Sequence, residues 1–165
     1  MDNLSLIAAI GENRELGYDN KLLWHIKEDL MFYKQMTLGK NIIMGRKTLE
    51  SLPKVALKGR KPIVLTTNNI QSTDMIKYFN QMDDLLKLIE DTSNEQFMVI
   101  GGAMVYEQFL PYVDNMYLTT ICDPIKREAD CYFPEFNIND WDTELLKEGI
   151  DNEISYKIKK YIRKK

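Results

Sequence analysis

No apolar run in this chain exceeds five residues, Leu6 to Ile10, where roughly 20 are needed to cross a bilayer. Nor does a basic stretch precede a signal-type apolar core at the N-terminus. These features predict a cytoplasmic protein without a membrane partner. Cysteine is scarce: Cys122 and Cys131 stand in unrelated contexts, with no CxxC and no Cys/His grouping. Neither a disulfide framework nor a zinc centre is expected, and no metal site is predicted. The single histidine, His25, has no serine or cysteine nucleophile context around it, so a hydrolase triad lacks support and His25 is expected at the surface. An excess of one charge is missing as well, because 22 Lys and Arg nearly balance 25 Asp and Glu for a net charge of -3. That balance argues against a nucleic-acid partner. The cations of the C-terminal tail are interleaved with Ile154, Tyr156, Ile158 and then Tyr161, and read as the solvent face of a strand.

What is present is ordinary globular usage: 165 residues, 44% hydrophobic and 28% charged. A chain of this length should bury roughly 70% of its unfolded surface and build one core. Leu4 to Ile10 reads as a buried strand, and Gly11 to Leu23, rich in Gly, Asn, Asp and charge, as a long surface loop of the kind that is usually functional. Helical signals follow at Lys27–Thr37, Lys47–Ser51, Asp83–Glu90 and Ala103–Leu110. Strand signals fall at Asn41–Met44, Pro62–Thr66, Phe97–Ile100, Met116–Cys122, Thr143–Lys147 and Glu153–Ile162. Short apolar strands joined by helical crossovers predict a largely parallel sheet covered on both faces, and the helix-free C-terminal run predicts an antiparallel hairpin at its edge. With no repeat or linker-like shift in composition, residues 1–165 read as one α/β domain.

Ligands of open α/β sheets bind beyond the carboxyl ends of the strands, where strand-to-helix turns expose backbone N–H groups. Two segments fit that rule. Asn41-Ile-Ile-Met-Gly45-Arg46-Lys47-Thr48 leaves a strand through glycine into a helix start carrying two cations and a hydroxyl, which suits a phosphate. Phe97-Met-Val-Ile-Gly101-Gly102-Ala103 places paired glycines where a ligand must approach the backbone. Neither matches GxGxxG or a P-loop. Taken singly, the first also fits an ordinary turn with solvated cations and the second a packing turn. Asp29 shares a helix face with Phe32, Tyr33 and Met36, so its carboxylate points toward apolar surroundings and needs a partner. An amidine-like edge with two adjacent N–H donors would supply one, although a first-turn acid is also favoured by the helix dipole alone. Arg60 suits a carboxylate clamp or simple solvation.

In order and spacing these segments resemble the dihydrofolate reductase family over almost the whole chain. The resemblance is carried by Ser5-Leu-Ile-Ala-Ala9, Leu16-Gly17, Trp24, Glu28-Asp29-Leu30, Ile43-Met44-Gly45-Arg46-Lys47-Thr48, Glu50-Ser51, Gly59-Arg60-Lys61, Val99-Ile100-Gly101-Gly102, Val105-Tyr106-Glu107-Gln108-Phe109, Tyr117-Leu118-Thr119 and Tyr132-Phe133-Pro134. It implies an eight-stranded, mainly parallel mixed sheet with an antiparallel C-terminal strand, flanked by about four helices. It also implies a monomer that reduces dihydrofolate with NADPH and binds antifolate-type inhibitors. Asp29, Trp24 and Thr119 would be catalytic: Asp29 would hold the pterin edge, Thr119 would be linked to it, and Trp24 would bound the lid and reach substrate through water. Ile7, Ala9, Leu22, Leu30, Tyr33, Ser51, Leu52, Leu57, Ile100 and Tyr106 would line the substrate pocket, with Arg60 on the glutamate-tail carboxylate. Gly45, Arg46, Lys47 and Thr48 would bind cofactor phosphates, with Thr66 and Thr67 beside the adenosine 2′-phosphate and Leu65 also at the cofactor. Ala9, Leu16, Gly17, Ile100, Gly101, Gly102, Ala103, Met104, Val105 and Tyr106 would complete the cofactor wall, and the Gly101–Gly102 bond would be cis.

Three residues depart from the family pattern. Leu23 precedes Trp24 where Pro is usual, Tyr33 replaces a common Phe, and Met104 stands where some relatives carry Arg. A non-catalytic dinucleotide-binding protein and a related pterin or pyrimidine reductase remain as alternatives at this point.

Overall fold

β1 (Leu4–Gly11) is apolar on both sides because it runs through the middle of an eight-stranded sheet. The computed structural model, covering residues 1–165, continues with a hairpin of β2 (Glu15–Tyr18) and β3 (Lys21–Leu22) and then α1 (Lys27–Thr37). β4 (Asn41–Gly45), α2 (Arg46–Ser51), a 3-10 turn (Lys54–Leu57), β5 (Lys61–Leu65) and β6 (Lys77–Phe79) come next. α3 (Met82–Asp91), β7 (Phe97–Gly101), α4 (Ala103–Phe109), β8 (Asn115–Cys122), β9 (Cys131–Tyr132), a second 3-10 turn (Ile138–Asp140), β10 (Trp141–Asp151) and β11 (Ile154–Arg163) complete the chain.

The strand order is β10-β11-β8-β1-β7-β4-β5-β6. Every pairing from β8 to β6 is parallel, and β11 runs antiparallel to both β8 and β10. This is the expected fold class: one α/β domain, a mainly parallel mixed sheet and four helices. Because β7 inserts between β1 and β4 after β4, β5 and β6 have been laid down, the direction of winding reverses at β7. Such reversals open crevices at the carboxyl ends of the strands.

Period-two alternation divides the core between the two faces of the sheet. Leu4, Leu6, Ala8 and Ile10 of β1 join Ile43, Val99, Met116, Leu118 and Tyr161 in a cluster of 20 buried residues beneath α3 and α4, where Leu85, Ile89 and Phe109 are fully covered. On the opposite face the core is broken. Ile26, Ile121, Tyr156 and Ile158 form one small cluster, and Ile42, Met44 and Val64 form another. α1 crosses this face and fully buries only Thr37, leaving Leu30 38% exposed. An apolar helix surface held off the sheet in this way is available to a ligand.

Three local expectations are corrected. Gly11 to Leu23 is not a structureless loop but the β2–β3 hairpin, and β2 also pairs with β9. Its turn residues Asp19 and Asn20 both have positive φ, 50° and 60°, which is the backbone requirement of a two-residue type I′ turn. β6 has no counterpart among the expected strands, since a three-residue strand between exposed polar segments carries little pattern. β10 is twice as long as Thr143–Lys147, since an edge strand that buries only Trp141 shows no alternation and a bulge between Leu145 and Lys147 breaks the register.

Candidate active site

The site opens where a ladder stops. β1 pairs with β7 only from Leu4↔Phe97 to Leu6↔Val99, although both strands run further, while on its other side β1 stays paired with β8 as far as Gly11↔Ile121. Beyond Leu6 the edges of β1 and β7 are therefore free of each other. The carbonyl of Ile7 takes a side-chain donor instead, the Tyr106 hydroxyl from α4 at 2.7 Å. Tyr106 is buried, and desolvation pushes its phenol far above the ordinary range, so it remains a neutral donor.

Asp29 lies on the β8 side of this gap. The residue lies in the first turn of α1, and its Oδ1 accepts the Thr119 hydroxyl at 2.5 Å. Thr119 is only 2% exposed and sits on β8 directly opposite Ala9 of β1. Burial raises the Asp29 carboxyl above its ordinary value, and the Thr119 hydrogen bond holds it partly down. A desolvated carboxylate with a single protein donor keeps acceptor capacity for a ligand. The broken core supplies the walls: Ala9 packs on the Ile121 cluster, whereas Ile100, Leu52 and Leu57 pack on the Ile42 cluster across the gap. Ile7, Leu30 and Tyr33 also face this region of α1 and β1 by position. The Tyr33 phenol is raised by burial and opposed by the charge of Arg60.

Arg60 is held as a fork. Gly59, at φ 76°, turns the chain, after which the guanidinium donates to Thr37 Oγ1 at 3.0 Å, Lys58 O at 2.7 Å and Lys34 O at 2.7 Å. Two of these partners belong to the carboxyl end of α1, where the helix dipole favours a cation. Three of five N–H groups are used, leaving a fixed edge that suits a carboxylate.

The two strand-to-helix turns lie side by side because Met44 of β4 registers with Gly101 of β7. A Cβ on Gly45 would come within 3.2 Å of Val105, and one on Gly102 within 3.6 Å of the Thr48 hydroxyl. Gly101 has φ 130°, a conformation that glycine tolerates, and the Gly101–Gly102 bond is cis. Gly45 also registers with Leu65, which brings Thr66 and Thr67 to the edge where Arg46, Lys47 and Thr48 begin α2. Arg46 and Lys47 are exposed, and Arg46 pairs with Glu50 at 2.8 Å. Cations and hydroxyls gathered along one edge are the donor set that a phosphorylated cofactor needs. Ala103 lies at the first position of α4, whereas Met104 is largely exposed.

Other expected residues sit differently. Leu16 and Val105 belong to the main core, so their backbone is what they can offer a ligand. Gly17 and the 60% exposed Leu22 are on the β2–β3 hairpin. The tip of that hairpin reaches α2 through Asn20 Nδ2, which donates to Lys47 O at 3.4 Å. Ser51 is exposed and its hydroxyl is turned back to Thr48 O. Trp24 and Ala9 both pack on the Ile121 cluster, but the only polar donor of Trp24, Nε1, is engaged at 2.9 Å by Asp123. Asp123, an acid in a polar loop, carries no local pattern that singles it out. No group of three or more His, Cys, Asp or Glu side chains comes together in a metal-binding arrangement, and both cysteines are free.

Comparison with known proteins agrees with this geometry. A family model described as dihydrofolate reductase matches residues 3–163. The chain is 40% identical over 154 residues to the dihydrofolate reductase of Buchnera aphidicola, covering 93% of this chain and 92% of that protein. It is 37% identical over 150 residues to the Bacillus subtilis dihydrofolate reductase, covering 91% and 86% of the two chains. It is 35% identical over 154 residues to the type 3 dihydrofolate reductase of Salmonella typhimurium, covering 93% and 92%. With a family match that runs almost from end to end and relatives 35–40% identical over most of their length, the chain belongs to the dihydrofolate reductase family.

Proposed function

We propose that the protein reduces 7,8-dihydrofolate to 5,6,7,8-tetrahydrofolate with NADPH, by hydride transfer to pterin C6 and protonation at N5. The observation that carries the reading is the Asp29–Thr119 pair, a partly buried carboxylate with spare acceptor capacity over the β8 side of β1, beside the stretch where β1 and β7 have parted. Its two oxygens suit the ring N–H and exocyclic amino group of a pterin, in a charge-assisted bidentate pair. That contact would orient the ring in the gap between Ala9 and Ile100 and polarise it toward accepting a proton at N5 from water. Arg60 would hold the glutamate-tail carboxylate, and Leu30, Leu52 and Leu57 the benzoyl part. The same pocket would take antifolate-type inhibitors through their amidine edge.

The chain's residues fit NADPH: Arg46, Lys47, Thr48, Thr66 and Thr67 would hold its phosphates, and the Gly101–Gly102 turn would admit the nicotinamide close to the backbone. When bound, NADPH supplies the hydride. The β2–β3 hairpin, linked to α2 by Asn20, would close over the reacting rings and exclude bulk water.

The test is loss of absorbance at 340 nm when NADPH and dihydrofolate are mixed with the protein. Asp29→Asn should cut the rate by about a hundredfold or more while the protein stays folded and binds NADPH. A near-normal rate for that variant would remove Asp29 from the mechanism, and no turnover by the unaltered protein would end the reductase reading.

A further inference from the structure

Beyond the expected site, the least explained polar cluster is centred on Asp123. This residue directly follows β8, and its side chain is only 5% exposed. Its carboxylate accepts from Trp24 Nε1 at 2.9 Å, from the Ile125 backbone N–H at 2.9 Å and from Arg127 Nε. Trp24 in turn lies against the end of β1, where a Cβ on Gly11 would come within 2.8 Å of the indole. The ring also packs on the Ile26, Ile121, Tyr156 and Ile158 cluster, as Ala9 and Phe32 do. One carboxylate thus connects the strand that carries Thr119 to the aromatic ring beside the pocket.

An indole N–H taken out of water needs an acceptor, and a charged acceptor gives roughly twice the strength of a neutral one. The backbone gives Trp24 little help, because the preceding residue is Leu23, whose φ is not fixed by a ring. Arg127 keeps Asp123 below the ordinary carboxylate range in spite of its burial, so the acceptor stays ionised at neutral pH. Only the indole ring, and not its N–H, is then left to the ligand.

We propose that Asp123 is a positioning residue for the reductase reaction: its carboxylate, secured by Arg127, fixes the orientation of the Trp24 indole against the end of β1 at Gly11 and thereby sets one wall of the dihydrofolate pocket. The inference rests on the reductase reading above. Displacement of a pocket wall by about 1 Å can cost up to about a hundredfold in rate, so a loss near tenfold is expected when the anchor is cut.

Asp123→Ser is the severing variant, because a serine hydroxyl can keep the turn to Ile125 but is too short to reach the indole. It should lower kcat/KM for dihydrofolate about tenfold, leave NADPH affinity within about twofold, and move the Trp24 indole N–H resonance upfield in a 15N-labelled sample. Trp24→Phe identifies that resonance, since only two tryptophans are present. Asp123→Asn, which still offers an acceptor oxygen, should recover most of the loss. In the Trp24→Phe background Asp123→Ser should have no further effect. Additive losses in the double variant, an unmoved indole resonance, or full activity of Asp123→Ser would each overturn the proposal while the reductase reading stands. A wild-type protein that binds NADPH but leaves dihydrofolate unreduced would overturn both.

Discussion

Thr119→Val removes one hydroxyl from a buried position while keeping the side-chain shape, and so isolates the Thr119–Asp29 bond at 2.5 Å. A hydrogen bond to a charged group is worth about 1.5–3 kcal/mol, against about 0.5–1.5 kcal/mol for a neutral one. At a pH where Asp29 is ionised the variant should therefore lose about 2 kcal/mol, and at a pH where it is protonated about 1 kcal/mol. For a domain of this size each kcal/mol moves Tm by about 2–4 °C, giving a loss near 6 °C at pH 8 and near 3 °C at low pH. The sign follows from linkage. Burial raises Asp29 in the folded state, so the native protein binds more protons than the unfolded chain, and stability falls as pH rises from the ordinary carboxylate value of 3.8 through the raised one. Removing the donor that holds the carboxyl down lifts the folded value further and steepens that fall. The check is thermal unfolding of both proteins from pH 4 to pH 8. Equal losses at both ends would show that the hydroxyl does not interact with an ionised Asp29. The reaction consumes a proton, so the turnover profile of Thr119→Val should also break at higher pH than that of the unaltered protein.

Arg46→Ala should weaken NADPH binding much more than NADH binding in fluorescence titrations; equal losses would take Arg46 away from the 2′-phosphate side. Because its pair with Glu50 is exposed, the same variant should change stability by less than about 1 kcal/mol in urea unfolding. Arg60→Lys loses the planar fork that Thr37, Lys34 and Lys58 hold, and should raise KM for dihydrofolate about tenfold while leaving a pterin without the glutamate tail unaffected. Phe109→Ala, at a fully buried position under the sheet, should cost about 3–5 kcal/mol in the same unfolding assay, and a loss below about 1 kcal/mol would place Phe109 outside the main core.

Those expectations draw on sequence signals of unequal strength. β1, β4 and β7 were legible because central parallel strands are apolar on both faces, and their glycine exits marked the strand ends that carry the two turns. Asp29 stood out as an acid on an apolar helix face, and the Thr119 hydroxyl bonded to it comes from a strand 90 residues away, a contact that no local pattern reveals. The β2–β3 hairpin was legible in principle. Asp19-Asn20 between Gly17-Tyr18 and Lys21-Leu22 is a short-turn signal, but strands of four and two residues give too little alternation to support it. Asp123 lay beyond reach, because an acid in a polar loop is recognised only when the fold brings an indole and a guanidinium to it.

The division of the core explains why site and stability are separable in this chain. The face beneath α3 and α4 holds one continuous cluster of 20 buried residues, whereas the face beneath α1 and α2 holds two clusters with the β1–β7 gap between them. Joining those two clusters with apolar side chains would bury more surface, at about 25 cal/mol per Å². It would also fill the space that Asp29, Ala9 and Ile100 border. The gap is thus a place where the fold forgoes burial, and Asp29 beside it is an acid whose ionisation desolvation disfavours. It follows that Asp29→Asn, which removes a desolvated charge, should unfold at a temperature at or above that of the unaltered protein at neutral pH even as turnover collapses. A variant that lost activity and several degrees of Tm together would show that the carboxylate holds α1 to the sheet, and the separation of site from scaffold would fail.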